Sequence, residues 1–288
     1  MSVKSEEYWT HHMVSNEVWL DKVHSLDHFH WRNQQYPGYI DLMPVNCGDD
    51  LVVMDYGCGP GNDLIGYIEF SKTTKLIGAD VSKTALMKAK ERVSLHNHNV
   101  EFVHLCEDDN VINLPDGTVD LVHSSGVLHH VKNLGFALNE IKRVMKSGAK
   151  LQVMVYNYNS LWLHLYTAYI HQIEKGLYST ETVLDAFSHL TDGPNCPISH
   201  CYRPQEFLRL VCSYGFHGKF RGSSISLTEL DILSKRFIAI KNRKLDAEHR
   251  NFLSKLTFNE YGHPLYEGNV AGINACFEFT KPITLKTR

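Results

Sequence analysis

Val52-Val-Met-Asp55-Tyr-Gly57-Cys-Gly59-Pro-Gly61-Asn-Asp63 decides how this chain folds. The apolar run 51–54 ends on an acid and enters a turn with glycines at 57, 59 and 61, after which amphipathic sequence begins. Glycine admits positive φ and removes the Cβ that would keep a ligand away from the backbone. The spacing therefore predicts a nucleotide-type pocket at the C-terminal edge of a buried strand. A dinucleotide fingerprint would read G-x-G-x-x-G. Here the third glycine comes one residue early, and position 62 is Asn.

Working outward, short apolar runs recur at 75–79, ending in Asp80, and at 100–105, 119–122 and 151–155. Between them lie helical patterns. Ser82 is placed to cap a helix with Ala85, Leu86, Ala89 and Val93 on one face, and Ala137, Leu138, Ile141, Val144 and Met145 repeat that spacing before Gly148, read as a C-cap. Strands joined by such crossovers must be mostly parallel, because parallel neighbours need a long connection across one face of the sheet. The fold class is α/β and doubly wound. The chain reads as one domain: an N-terminal helical flap over 1–45, a core over 46–156, an insertion over 157–205 and a completion of the sheet with helices over 206–288. In the insertion, Trp162, Tyr166 and Tyr169 fall at i, i+4 and i+7 of a predicted helix, a stripe that ordinarily packs into a core.

With Asp55-x-Gly57-x-Gly59-x-Gly61, Gly78-Ala-Asp80-Val81-Ser82, Leu114-Pro-Asp116, Val119-Asp-Leu-Val122, Ser125-Gly-Val-Leu-His129-His130 and Glu140-Ile-Lys-Arg-Val144 in this order, the chain resembles the class I S-adenosylmethionine-dependent methyltransferases over about 50–156, in particular their small-molecule branch. The resemblance implies a seven-stranded Rossmann-like sheet and S-adenosylmethionine as cofactor. It also implies roles for matched residues. Asp55 and the three glycines would hold the methionine part, Asp80 both ribose hydroxyls, and Val81 and Ser125 would flank the cofactor. A carboxylate suits the ribose because it offers two acceptor oxygens to two vicinal donors. An acid shortly before Leu114-Pro would meet adenine; Asp108 is favoured, with Glu107 as alternate, and register alone admits Cys106.

Methyl transfer from a sulfonium needs alignment, exclusion of water and, for a protonated acceptor, a base. His129 and His130, after the fourth strand, are the base candidates, and packing beneath the cofactor is their alternative role. Tyr156 and Tyr158 after the fifth strand, His200 and Tyr202 in the insertion, and Trp31, Arg32 and Tyr36 in the flap are candidates for acceptor binding. Neither an Asn/Asp-Pro-Pro-Tyr/Phe nor a Pro-Cys base-methylation motif is present, and the net charge is −3, so nucleic acid is a poor fit and a metabolite, sugar or natural-product intermediate a better one. A non-catalytic cofactor-binding module that serves a protein partner is the rival reading, with an RNA methyltransferase behind it; a homodimer is compatible with either.

Seven cysteines without a CxxC pair read as free thiols in a reducing cytoplasm, and no apolar run is long enough for a membrane span. No metal is expected: the 18 histidines are scattered, and Cys196-Pro-Ile-Ser-His200-Cys201 has ligand types without a second half to close a tetrahedral site. The basic stretch 235–250 reads as a solvated surface.

Overall fold

The computed structural model describes residues 5–14, 17–106 and 111–283. Its frame is a seven-stranded sheet in the order β3-β2-β1-β4-β5-β10-β6. The strands are β1 (Val52–Tyr56), β2 (Lys75–Asp80), β3 (Glu101–His104), β4 (Val119–Ser125), β5 (Met145–Tyr156), β6 (His217–Ser224) and β10 (Asn274–Thr280). β1 to β5 pair in parallel, while β10 runs antiparallel between β5 and β6. A parallel sheet covered on both faces takes near-continuous apolar strands. Accordingly Val53, Met54, Leu76, Ile77, Leu121, Val122, Leu151 and Val153 are all buried.

Helices α1 (Ser5–His11), α2 (Lys22–Gln34) and α3 (Tyr39–Leu42) precede the sheet. The crossovers are α4 (Asn62–Phe70), α5 (Lys83–Ser94) and α6 (Leu134–Val144). Ser82 caps α5 as its sequence predicts, its hydroxyl accepting from the Ala85 amide at 3.2 Å. Gly148 is not the cap of α6. The helix ends at Val144, and Met145 already begins β5.

Beyond β5 the chain departs further from its sequence pattern. Trp162–Glu174 is a π-helix. Its wider turn brings the Trp162 and Tyr166 rings into a stack 4.3 Å apart, while Tyr169 turns into a separate core. The aromatic stripe is thus split: Trp162 faces a cavity and Tyr169 is packed away. After it come α7 (Val183–Asp192) and α8 (Pro204–Ser213), and between β6 and β10 lie α9 (Leu227–Asp231), α10 (Arg236–Lys241), α11 (Ala247–Ser254) and a small antiparallel sheet of β7 (Thr257–Phe258), β8 (Pro264–Tyr266) and β9 (Asn269–Val270).

β6 and β10 complete the sheet, and the helices between them pack elsewhere. Leu161, Leu165, Ala168 and Ile170 of the π-helical segment share one core with Ala239, Leu245, Phe252 and Leu253. Two stretches distant in sequence therefore build one cap. Within the basic stretch, Lys235 pairs with Glu174 at 2.8 Å, and Arg236 and Arg250 donate to the carbonyls of Leu253 and Leu245.

Glu229 fastens the cap to the sheet. Its buried carboxylate accepts from the amides of Trp162, Ser226 and Ile273 and from the Ser226 hydroxyl, over 2.8–3.2 Å, so one side chain ties the π-helix, α9 and the start of β10. Burial pushes its carboxyl up to about 7 against those donors. Leaving buried donors unsatisfied costs about 1–3 kcal/mol each. Glu229→Ala is therefore expected to lower stability by about 3 kcal/mol or more in urea denaturation.

Candidate functional site

The C-terminal ends of β1, β2, β4 and β5 open into a cavity of about 680 Å³, walled on its far side by α1–α3, the π-helix and the end of α7. That volume lies in the range of sites for small ligands and cofactors.

The glycine loop forms the floor. Gly57 has φ +81°, and a Cβ there would lie 2.2 Å from Val127 Cγ2, so this position is closed to a side chain. Gly59, at φ +52°, differs: nothing lies within 4 Å of where its Cβ would stand, because that direction is the cavity. Gly61, also in the left-handed region, is the N-cap of α4 and does not line the cavity. Asp80 secures the loop, Oδ2 accepting from the Gly59 amide and Oδ1 from the Ser82 amide, each at 2.8 Å. Burial raises its carboxyl, and those amides partly offset the rise. Asp80 and Val81 both line the cavity.

Asp55 lies beneath the loop, 2% exposed and outside the lining. Burial pushes its carboxyl up, with His123 opposing. Near it sits a group that no local pattern announces. Asp63, in the first turn of α4, meets Arg32 of α2 at 2.6 Å and His123 of β4 at 3.4 Å. Burial would raise the Asp63 carboxyl, yet Arg32 and His123 hold it well below the usual carboxylate range. Arg32 also donates to Ser125 Oγ at 3.4 Å, and Ser125 bonds the Tyr39 hydroxyl. Of the flap candidates, Trp31, Arg32 and Tyr36 all face the cavity, with Arg32 committed to Asp63.

On the β4–β5 side the two histidines separate. His129 is fully buried between His130 and Tyr156, ring centroids 4.1 and 3.9 Å away, and does not reach the cavity. Burial drives its pKa well down, so it packs as a neutral ring and is not placed to be a base. His130 does line the cavity. Its Nδ1 lies 2.7 Å from the Ile198 carbonyl and so carries the proton donated there, which leaves Nε2 with a free lone pair, 3.7 Å from Asp192 Oδ1. Tyr156 lines the same wall and donates to Asp192 Oδ1 at 2.7 Å.

Three acceptor candidates lie elsewhere. Tyr158 donates to Glu248 at 2.9 Å beneath the Arg203 guanidinium, His200 is exposed, and Tyr202 packs on Phe207. Position after a strand did not reveal which way the loop would turn. Glu107 and Asp108 lie outside the described residues, and Cys106 is exposed. The sequence reading missed Trp9, Trp162 and Asp192 as cavity residues; Asp192, on the last turn of α7 before Gly193-Pro194, had only a turn signal.

A family model described as a methyltransferase domain matches residues 48–183. An uncharacterised protein of Methanocaldococcus jannaschii is 33% identical over 153 residues, 46% of this chain and 60% of its own length. A demethylmenaquinone methyltransferase of Lactiplantibacillus plantarum is 32% identical over 127 residues, 43% of this chain and 50% of its own. The chain thus spans about half the length of these curated relatives. Among solved structures, the YcgJ protein of Bacillus subtilis matches in fold with a TM-score of 0.54 at 15% identity, over 85% of this chain and 97% of that one. No helix among the described residues is long and apolar enough to cross a membrane.

The two glycines are expected to fail differently. Gly57→Ala adds a clash with the Val127 side chain to left-handed strain and should lose about 2 kcal/mol or more of stability. Gly59→Ala should lose only about 1–2 kcal/mol, the cost of the left-handed region for a residue with a Cβ. Its methyl group, projecting into the cavity, should weaken nucleoside-ligand binding measured by calorimetry on the folded variant.

Proposed function

Because residues 48–183 match a family model described as a methyltransferase domain, we propose that the protein is a class I S-adenosylmethionine-dependent methyltransferase and transfers a methyl group from S-adenosylmethionine to a small molecule held between the β4–β5 edge and the cap. One observation carries the reading: a single open cavity runs from the Gly59–Asp80 edge to His130 and Tyr156, with room beside the cofactor position for a second ligand. A binding module without catalysis would be expected to plug that space. The demethylmenaquinone methyltransferase among the relatives, by its name, acts on a small molecule, which supports the acceptor class.

The residues fit the cofactor. At Gly59 the missing Cβ leaves the backbone bare toward the cavity, and Asp80 presents a carboxylate edge there whose oxygens retain lone pairs for ribose hydroxyls. S-adenosylmethionine supplies the activated methyl group and the leaving sulfur. What remains for the chain is to bind, align and exclude water. α2 and α3 close the pocket over Ser125, and the Arg32–Asp63 pair fixes that wall. His130 Nε2 is the acceptor for a proton released by the substrate. Burial lowers the His130 pKa, with Asp192 opposing, so the imidazole is neutral and competent at neutral pH.

Calorimetric titration with S-adenosylhomocysteine tests the assignment, with NADH as control ligand. Binding by the wild type should weaken by ~10-fold or more, about 1.4 kcal/mol, in Asp80→Ala. Equal affinity in the variant, or no heat from folded wild type, would reject the cofactor site. For the base, the acidic limb of kcat/KM should fall below pH 6.5, since burial depresses the imidazole's pKa. His130→Gln should erase that limb and lower kcat by about 10² or more; an unchanged profile would remove His130 from the mechanism.

A further inference from the structure

Three carboxylates with buried side chains line the cavity, Asp63, Asp80 and Asp192, and they are held differently. Asp63 is paired with Arg32, and Asp80 is held by two backbone amides. The Asp192 side chain is 5% exposed, and among the described residues its ion-pair contact is His130 alone. That histidine donates from Nδ1 to Ile198, and burial lowers its pKa, so it brings no positive charge. Two hydroxyls donate to Asp192 instead, Tyr156 at 2.7 Å and Ser199 at 2.6 Å. The cationic side chains of the lining are Arg32, spent on Asp63, and Lys132, which is exposed.

Aromatic rings stand near the Asp192 carboxylate. Tyr156 touches the carboxylate directly, Trp9 lies 4.7 Å from the His130 ring, and Trp162 donates to Thr191, the neighbour of Asp192. All three rings line the cavity. A desolvated carboxylate beside aromatic faces is a site for an organic cation, by ion pairing and by cation–π attraction. It repels carboxylates and phenolates.

Resting on the methyltransferase reading above, we infer that the acceptor is an amine that arrives as an ammonium ion and is held by Asp192 among Trp9, Tyr156 and Trp162, with nitrogen as the methylated atom. The topology agrees. The ribose acid is on β2, whereas Asp192 and Tyr156 stand at the β5 end, across β1 and β4 from it. The ammonium gives one proton to His130 Nε2, and the freed nitrogen lone pair forms the N–C bond as the C–S bond breaks. The pair of that bond stays on sulfur, leaving S-adenosylhomocysteine. The methylated product departs as a cation, and His130 returns its proton to water.

His130, Asp192 and Cys196 also bring one ligand atom each within 4.8 Å of one another, so a divalent metal ion is the other means of answering the charge. The amine is favoured because the Cys196 thiol is already committed to the Ile198 carbonyl, 3.3 Å away.

The test compares 2-phenylethylamine with 3-phenylpropanoate, which share a ring and nearly a length. Binding to the full chain saturated with S-adenosylhomocysteine is followed by ligand-observed NMR up to millimolar concentration. The amine should bind at least 10-fold more tightly, and Asp192→Asn should erase that preference while keeping its affinity for S-adenosylhomocysteine. Equal or reversed preference in the wild type, or no amine binding, overturns the inference whatever the variant does. Stoichiometric zinc uptake by the wild type without amine preference overturns it in favour of a metal. Failure of the wild type to bind S-adenosylhomocysteine strikes the methyltransferase reading itself and the inference with it.

Discussion

The Arg32–Asp63 ion pair is the contact on which the site's architecture depends. It joins α2, from the N-terminal flap, to the first turn of the helix that follows the glycine loop, and through His123 and Ser125 it reaches β4. Both partners are largely withdrawn from water, so removing either would strand a buried charge, a loss of about 3–5 kcal/mol in comparable pairs. Arg92 secures the same helix from behind: it bonds Ser25 on α2 and Asn62 on α4 and lies 4.0 Å from the Trp19 ring. The flap is consequently part of the folded body, and it gives the cavity a wall the sheet alone lacks.

The protein solves the desolvation of carboxylates in several ways, and each solution has a different consequence. Glu229 is satisfied by backbone amides and becomes a structural bolt between the cap and the sheet. Asp80 spends two oxygens on amides and still presents an edge to the cavity. Asp63 is neutralised by a guanidinium and so is chemically quiet. Asp192, held by hydroxyls without a fixed cation, is left to act on a ligand. Position in the sheet and access to a counter-charge separate these roles; residue type does not.

The cap shows how local periodicity loses to tertiary packing. Trp162, Tyr166 and Tyr169 lie on one face at α-helical spacing, yet as a π-helix the segment sends Trp162 to the cavity and Tyr169 to the core shared with α10 and α11. Such segments are frequent at functional sites, where an altered turn re-aims side chains. Residues 206–288 read as a completion of the sheet with helices, and nothing local marks the helices within them as the second half of a cap whose first half begins at residue 157.

Read alone, the sequence determines the parallel core, the glycine loop, the acid ending β2 and the cap of α5, since each depends on neighbours in the chain: apolar runs, glycine φ and a hydroxyl three residues from an amide. The resemblance it carries extends to the cofactor family. It does not separate His129 from His130, nor Tyr156 from Tyr158, because adjacent residues differ only in which way the backbone turns after a strand. Nor does it reveal that Asp63 and Asp192 meet Arg32 and Tyr156, 31 and 36 residues away. Those pairings were decided by tertiary structure, where the cost of burying a charge selects whichever partner the packed elements bring within hydrogen-bond distance.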